Sequence, residues 1–331
     1  MIPALTIITG GAGFIGSNIA AALAARGEEV VICDRLGHDD KWRNLAKHLI
    51  AGFVAPQDLP RYLADNAAQV KAILHMGAIS ATTETDVDLI VDTNIRLSTL
   101  LWNWCAQRGV PFLYASSAAT YGDGAQGFSD DNDPAALARL RPLNAYGWSK
   151  LAFDRHVIDQ ISRGRRHPPQ WAGLRFFNAY GPNEYHKGEM MSVVAKNHAI
   201  AAAGNRVRLF RSYRPDYADG GQLRDFVHVR DAVKVVLWLL DHPDVSGIFN
   251  VGSGQARSFN DLMAALYRAV GREPTIDYIE MPESLRPRYQ YFTQADLGRL
   301  RAAGYGAPMT GLEEGVADYV RQFLSQPDPY R

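Results

Sequence analysis

The run Leu5-Thr6-Ile7-Ile8-Thr9-Gly10-Gly11-Ala12-Gly13-Phe14-Ile15-Gly16 decides the fold. Its first five residues form a short apolar run of strand character, and an apolar helical pattern continues from Phe14 to Arg26. Between them Gly10, Gly13 and Gly16 recur at three-residue spacing. The first glycine permits a tight turn, the second lets backbone N–H groups reach a pyrophosphate at a helix N-terminus, and the third allows close helix–strand packing. With strand and helix in place on either side, the run predicts a dinucleotide-binding βα unit rather than a plain βα turn.

The same rhythm continues outward. Apolar runs at Glu29 to Cys33, Gly52 to Val54, Ala72 to His75 and Pro111 to Ala115 alternate with helical patterns at Leu59 to Asn66, Asp88 to Arg108 and Tyr146 to Ser162. These strands are continuously apolar instead of alternating, so both faces of their sheet are expected to be covered, as in a Rossmann-like, doubly wound parallel α/β sheet. Beyond about residue 178 the rhythm breaks into a basic helix (Met190 to Ala203), a return helix (Val229 to Leu240), a strand (Ile248 to Val251) and shorter pieces. We expect a nucleotide-binding domain from 1–177 plus about 226–251, and a smaller, interleaved substrate domain from about 178–225 plus 252–331. The polar stretches 122–134 and 211–222 read as surface loops.

Composition narrows the function. The 331 residues carry 35 Lys+Arg against 35 Asp+Glu, so no net field attracts nucleic acid or an anionic membrane. Cys33 and Cys105 belong to no C-x-x-C pair, so neither a disulfide framework nor a metal site is expected. The N-terminal residues lead directly into a strand without signal-peptide features, and no apolar stretch approaches the roughly 20 residues of a membrane span. A cytoplasmic protein is the expectation.

Candidate chemistry sits at the ends of the predicted strands. Asp34 closes the second, where a carboxylate accepts hydrogen bonds from an adenosine ribose. Arg35 and Lys41 follow; they read either as solvated charges or as cations offsetting Asp34 to hold a 2′-phosphate, which makes NADP the expected cofactor with NAD the alternative. The fifth strand runs into Ser116-Ser117, and Tyr146 and Lys150 stand one helical turn apart further on. A lysine beside a tyrosine is expected to lower the phenol pKa so that it exchanges a proton with an alcohol.

These features, with His75-Met76-Gly77-Ala78, Arg175-Phe176-Phe177-Asn178-Ala179-Tyr180-Gly181-Pro182 and Arg224-Asp225-Phe226-Val227-His228-Val229-Arg230-Asp231, resemble the extended short-chain dehydrogenase/reductase superfamily of nucleotide-sugar epimerases and dehydratases. More narrowly, Ser80-Ala81-Thr82-Thr83-Glu84, Tyr114 to Gly122, His186-Lys187-Gly188 and the run from Tyr289 to Leu297 resemble the ADP-L-glycero-D-manno-heptose 6-epimerase family. The likeness spans most of the chain and thins at 43–66, 123–143 and 211–223. It implies epimerisation of a nucleotide-diphospho-sugar on bound NADP, supplying a heptose for lipopolysaccharide, by a closed homo-oligomer such as a pentamer.

By the same resemblance, Tyr146 and Lys187 are the two acid/base groups, Lys150 supports Tyr146, and Ser117 holds the reacting oxygen. The cofactor would lie along Gly10, Gly13, Phe14, Ile15, Gly16, Asp34, Arg35, Lys41, Met76, Gly77, Ala78, Ile79, Ser80, Asn94, Tyr146, Lys150 and Ala179. Substrate would meet Ser80, Ser117, Asn178, Lys187, Glu189, Lys196, Phe210, Arg224 and Tyr289. On the residues alone, Asn178 reads equally well as a turn residue, Arg224 as a surface partner of Asp225, and Lys187 as a solvated loop charge.

Two departures fall on the substrate side. Glu189 and Lys196 stand where the family carries a small hydroxyl residue and a histidine, and the segment before Arg224 is long. Other readings are a 4-epimerase, a 4,6-dehydratase or a non-catalytic NADP sensor. A dehydratase needs carboxylates directly after the serine run, where this chain has Ala118-Ala119-Thr120, and a sensor has no need of an intact Ser117, Tyr146 and Lys150.

Overall fold

A computed structural model describes residues 4–283, 285–286 and 289–331. Met1 to Pro3, read above as leading into the first strand, lie outside the described residues. In chain order the strands are β1 (Leu5–Thr9), β2 (Glu29–Cys33), β3 (Gly52–Val54), β4 (Val70–His75), β5 (Phe112–Ser117), β6 (Trp171–Phe176), β7 (Asn178–Tyr180), β8 (Val207–Phe210), β9 (Leu223–His228), β10 (Gly247–Val251), β11 (Ala256–Ser258) and β12 (Ile276–Ile279).

Seven of them form one parallel sheet in the order β10-β6-β5-β4-β1-β2-β3. The order reverses beside β1, which opens a crevice at the carboxyl ends of β1 and β4, the place where doubly wound sheets bind ligands. Continuous apolar strands are explained by cover on both faces. One face packs against helices Leu59–Asp65, Leu97–Arg108 and Ala145–Ser162 through Leu63, Trp102, Phe153 and Val157. The other packs against Phe14–Ala25 and Val229–Asp241 through Ile19, Leu23, Val236 and Leu239. A third apolar cluster joins helices Val193–Ala202, Phe259–Ala269 and Leu312–Tyr319 around Val194, Leu266 and Val316, beside the small sheets β11-β9-β7 and β12-β8. No helix among the described residues is long and apolar enough to cross a membrane.

Both thiols are buried, Cys33 on β2 and Cys105 on helix Leu97–Arg108. Burial, reinforced by neighbouring Asp34, pushes the Cys33 thiol up to about 12, and burial pushes Cys105 up as well.

Three expectations need correction. The helix expected over Asp88 to Arg108 is α-helical at Val87–Ile90 and Leu97–Arg108, with a π-helical stretch at Val91–Arg96 between them. Such stretches shift register and re-aim side chains, and this one carries buried Asn94. The helix expected from Met190 starts at Val193, because Gly188, at φ +52°, turns the chain and Ser192 then caps the helix by accepting from Ala195 N–H. The stretch 122–134 is not wholly a surface loop. Asp130 is buried, accepts from Asn250 N–H at 2.7 Å, and burial pushes its carboxyl up to about 6.

Candidate functional site

The glycine loop is built by backbone contact. Gly10 has φ +64°, and a Cβ there would fall 2.5 Å from the Gly77 Cα at the end of β4. A Cβ on Gly16 would sit 2.2 Å from the Gly10 carbonyl oxygen. Neither position admits a side chain. Gly13 begins helix Phe14–Ala25 with no side chain to cap it and no acidic residue in its first turn, so the amides of Phe14, Ile15 and Gly16 head an unopposed positive helix end. A cradle that excludes side chains and ends in a bare helix N-terminus fits a dinucleotide pyrophosphate.

Beside it, Asp34 is already satisfied. Its Oδ2 accepts from Ala12 N–H at 2.9 Å, and its Oδ1 accepts from Arg35 N–H and from Lys41 Nζ, both at 2.7 Å. Lys41 also donates to the Arg35 carbonyl at 3.0 Å, so it is not a solvated surface charge, whereas the Arg35 residue is exposed. A lone carboxylate would repel a 2′-phosphate; this one is neutralised in place.

At the end of β5, Ser117 accepts from Ala119 N–H at 3.1 Å, and its hydroxyl lies near the Tyr146 phenol. Helix Ala145–Ser162 presents Tyr146 and Lys150 one turn apart, started by Asn144, which accepts from Gly147 N–H at 2.8 Å. The expected lowering of the Tyr146 phenol by Lys150 is not what this geometry gives. Burial raises the phenol, the Ser117 hydrogen bond opposes this in part, and Lys150 donates instead to the Ala115 carbonyl at 2.8 Å. Lys150 itself is brought down to about 8 by burial, with Asp154 pulling the other way.

Beneath them lies a buried polar network. Asp154, one turn after Lys150, accepts from Tyr114 and Ser116 hydroxyls and from Arg175 Nε, each at 3.0 Å. Arg175 is fully buried and also donates to the Tyr121 hydroxyl at 3.0 Å, which in turn donates to Asn250 at 2.6 Å. One carboxylate thus ties helix Ala145–Ser162 to β5 and β6, fixing the turn that carries Tyr146 and Lys150 against the sheet.

Sequence reading gave no role to His75, Thr9 and Ser98, which form a second buried chain. Ser98 donates to the Asn94 carbonyl at 2.7 Å, so it accepts from His75 Nε2–H at 2.8 Å, leaving His75 Nδ1 to accept the Thr9 hydroxyl at 2.6 Å. Thr9 accepts from Gly77 N–H at 3.2 Å. Asn94 accepts from Ile79 N–H at 2.8 Å and donates to the Ile79 carbonyl and Ser149 Oγ, both at 3.0 Å. It therefore clamps the segment Met76 to Ser80 onto the helix that carries Tyr146, facing the protein interior. Burial, then the charge of Lys150, holds His75 neutral down to about pH 3.

That neutral imidazole has a measurable consequence. In the unfolded chain a histidine takes up a proton near pH 6.5, whereas folded His75 declines it until about 3, so stability is complete above 6.5 and is lost as pH falls through this window. Each pH unit costs up to about 1.4 kcal/mol for a group this buried. Urea unfolding should show the wild type losing stability faster than His75→Gln between pH 6.5 and 4; parallel curves would mean His75 is protonated in the fold.

Lys187 belongs to a 3-10 turn, Tyr185–Met190, and its Nζ lies 5.0 Å over the Phe14 ring at the head of the first helix. It is half-buried, not a free loop charge, and burial lowers its pKa despite Glu184 nearby. Glu184 is fully buried and fixes the turn by accepting from Ser192 N–H at 2.5 Å, Ser192 Oγ at 2.7 Å and Tyr319 at 3.2 Å.

Arg224 is 7% exposed, with its guanidinium 5.1 Å over the Tyr289 ring, and Phe210 meets Tyr289 edge-on at 6.3 Å. It is not a surface partner of Asp225, whose carboxylate is buried and accepts from Ser253, Gly254 and Ala295 N–H. Asn178 starts β7 with its side chain exposed, Ala179 follows half-buried, and Ser80 is exposed on the rim. The residues of the first departure noted above are partners: Lys196 Nζ and Glu189 Oε2 pair at 2.9 Å, with Glu189 wholly in solvent. The long segment 211–223 is pinned to this side by Tyr213 N–H donating to the Tyr291 hydroxyl at 2.9 Å, and by Arg214 stacked 5.3 Å over the Tyr291 ring.

Residues 6–252 match the profile of the NAD dependent epimerase/dehydratase family. The chain belongs to that family. Among the relatives of this epimerase/dehydratase is a Nitratidesulfovibrio vulgaris protein named ADP-L-glycero-D-manno-heptose-6-epimerase, 49% identical over 327 residues, covering 98% of this chain and 99% of the relative. A Fusobacterium nucleatum protein of the same name is 45% identical over 98% of this chain and all of its own length. Solved structures agree: the Helicobacter pylori ADP-L-glycero-D-manno-heptose-6-epimerase superposes with a TM-score of 0.77 at 30% identity, over 97% of this chain and 96% of that one. The Thermus thermophilus UDP-glucose 4-epimerase in complex with NAD gives 0.76 at 28% identity, over 96% and 98%.

Proposed function

We propose that the protein converts ADP-D-glycero-D-manno-heptose to ADP-L-glycero-D-manno-heptose by inverting C6, furnishing a heptose for lipopolysaccharide. The observation that carries this reading is the set of groups near the glycine cradle: Ser117 at the end of β5 with Tyr146 near it, and half-buried Lys187 over Phe14 at the head of the first helix. Relatives bearing that enzyme's name at 45–49% identity over nearly the whole chain support the choice of sugar.

Bound nicotinamide dinucleotide would supply a hydride acceptor and donor at the carbinol carbon. Gly10, Gly13 and Gly16 would receive its pyrophosphate, and Asp34 its ribose. Neutralisation of Asp34 by Lys41, with Arg35 exposed alongside, supports NADP over NAD. Ser117 would hold the reacting oxygen and Tyr146 move its proton, while Lys150 holds the strand end through the Ala115 carbonyl. Buried Arg224 with its aromatic neighbours would meet the diphosphate. A closed homo-oligomer is part of the same proposal.

Hydride removal and return leaves the carbon-bound hydrogen out of contact with solvent, whereas an unactivated carbinol C–H is far too weak an acid for Tyr or Lys to ionise. Incubation with ADP-D-glycero-D-manno-heptose in D₂O should therefore yield the L-glycero epimer carrying protium at C6, by NMR of the separated product. Stoichiometric deuterium there would overturn the route, and turnover of UDP-glucose in place of ADP-heptose would move the assignment to a 4-epimerase.

A further inference from the structure

The segment Pro329 to Arg331 bridges three elements that the mechanism uses separately. Tyr185, at the start of the turn carrying Lys187, donates its hydroxyl to the Pro329 carbonyl at 2.9 Å, and its ring meets Tyr330 edge-on at 5.1 Å. Arg331 N–H donates to the Asn183 side chain at 2.9 Å. Asn183 sits at φ +72°, alone among non-glycine described residues in the left-handed region, and donates to Ser17 Oγ at 3.0 Å on the first helix. The Arg331 guanidinium reaches that helix directly, through Asn18 Oδ1 at 3.1 Å. On the third side, Arg43 stacks 4.6 Å over the Tyr330 ring and Lys47 donates to the Tyr330 carbonyl at 2.5 Å.

Arg43 lies in the 3-10 turn Asp40–Asn44, which also supplies Lys41 to Asp34. Asn44, in the same turn, is fully buried; its side chain donates to the Ala12 carbonyl at 2.8 Å and to the Asn183 carbonyl at 3.1 Å. The Lys187 turn, the Lys41 turn and the helix behind the glycine loop therefore share one buttress, whose central ring is 7% exposed. A buried aromatic with a stacked guanidinium and an edge-on partner leaves little freedom for any of the three to move alone.

We propose that Tyr330 and Arg331 are positioning residues for the reaction: they lock the Lys187 turn to the Asp34–Lys41 pair, so that the second acid/base group and the nucleotide ribose keep one fixed relation. This rests on the reading of Lys187 as an acid/base group. The contacts of the buttress given above are to residues assigned neither to substrate nor to the reacting atoms; it acts through Tyr185 and Asn183, and small misplacement of a proton-moving group costs about ten- to hundredfold in rate.

The test uses the full chain. Tyr330→Ala with Arg331→Ala should lower kcat by about ten- to hundredfold with little change in KM, and Tyr330→Phe should restore it, because the ring and not the hydroxyl makes the contacts. In a Lys187→Met background the same double substitution should cost nothing further. Wild-type kcat in the double variant, or an equal further loss without Lys187, would overturn the proposal. Hydrogen exchange separates this from the fate of the Lys187 reading and from misfolding. Amides of 183–191 and 40–44 should exchange faster in the double variant while those of 145–162 stay protected. Unchanged exchange in the first two segments overturns the buttress even if Lys187 proves catalytic; faster exchange there together with full turnover of Lys187→Met overturns the positioning role through the Lys187 reading and leaves only a structural tie between the two turns.

Discussion

Tyr146→Phe is expected to lower epimerisation by about 10²–10⁴-fold, the usual contribution of a positioned general acid or base. The substitution keeps the ring, and helix Ala145–Ser162 keeps its anchors: the Asn144 cap, the Asp154 bonds to β5 and β6, and Ser149 donating to the Tyr146 carbonyl at 2.7 Å. Fold and nucleotide binding should therefore persist, checked by unfolding curves and fluorescence titration with NADP. What disappears is the Tyr146 hydroxyl near Ser117. Because burial raises this phenol, its proton is retained near neutral pH in the absence of ligands, which suits it to return a proton to a ketone oxygen. Near wild-type turnover of Tyr146→Phe would remove this residue from the chemistry.

Lys187→Met should produce a loss of similar size, about 10²–10⁴-fold, for a reason that lies in the substrate. The hydride face of a bound cofactor is fixed, so inversion at an exocyclic carbon requires the ketone to rotate about its neighbouring C–C bond, which carries the oxygen across the pocket. A second acid/base group is then useful there. Burial lowers the Lys187 ammonium pKa, easing release of its proton, and methionine preserves the length and apolar contact with Phe14 while removing the charge. Single-turnover assays with each variant should show both impaired. If Lys187→Met turns over normally, Tyr146 serves both orientations of the ketone.

The parts of this protein legible in its sequence are those whose physics is local. Glycine spacing, the apolar strands and the one-turn separation of Tyr146 and Lys150 depend on residues within a few positions of one another, and the fold follows from repeating them. The turn over 185–190 was hidden because Gly188 and Ser192 redirect a segment whose composition is helical. The buried chains were hidden for a different reason. Thr9, His75 and Ser98 meet only because β1 and β4 are neighbours and a π-helical stretch shifts the next helix. Nothing in the spacing of a buried ion pair such as Asp154 with Arg175 distinguishes it from two surface charges. The depression of Tyr146 by Lys150, expected from spacing, fails because the ammonium is committed to a backbone carbonyl instead.

The burial of Cys33 and Cys105 leaves the molecule with a chemically silent thiol background. Both sulfurs are shielded, and both are held in the protonated, unreactive form. A single cysteine introduced at exposed Ser80 would stand as the accessible target for a maleimide, without first stripping the native pair from the core. Fluorophores or spin labels placed there would sit among the residues assigned to cofactor and substrate, and would report ligand entry directly.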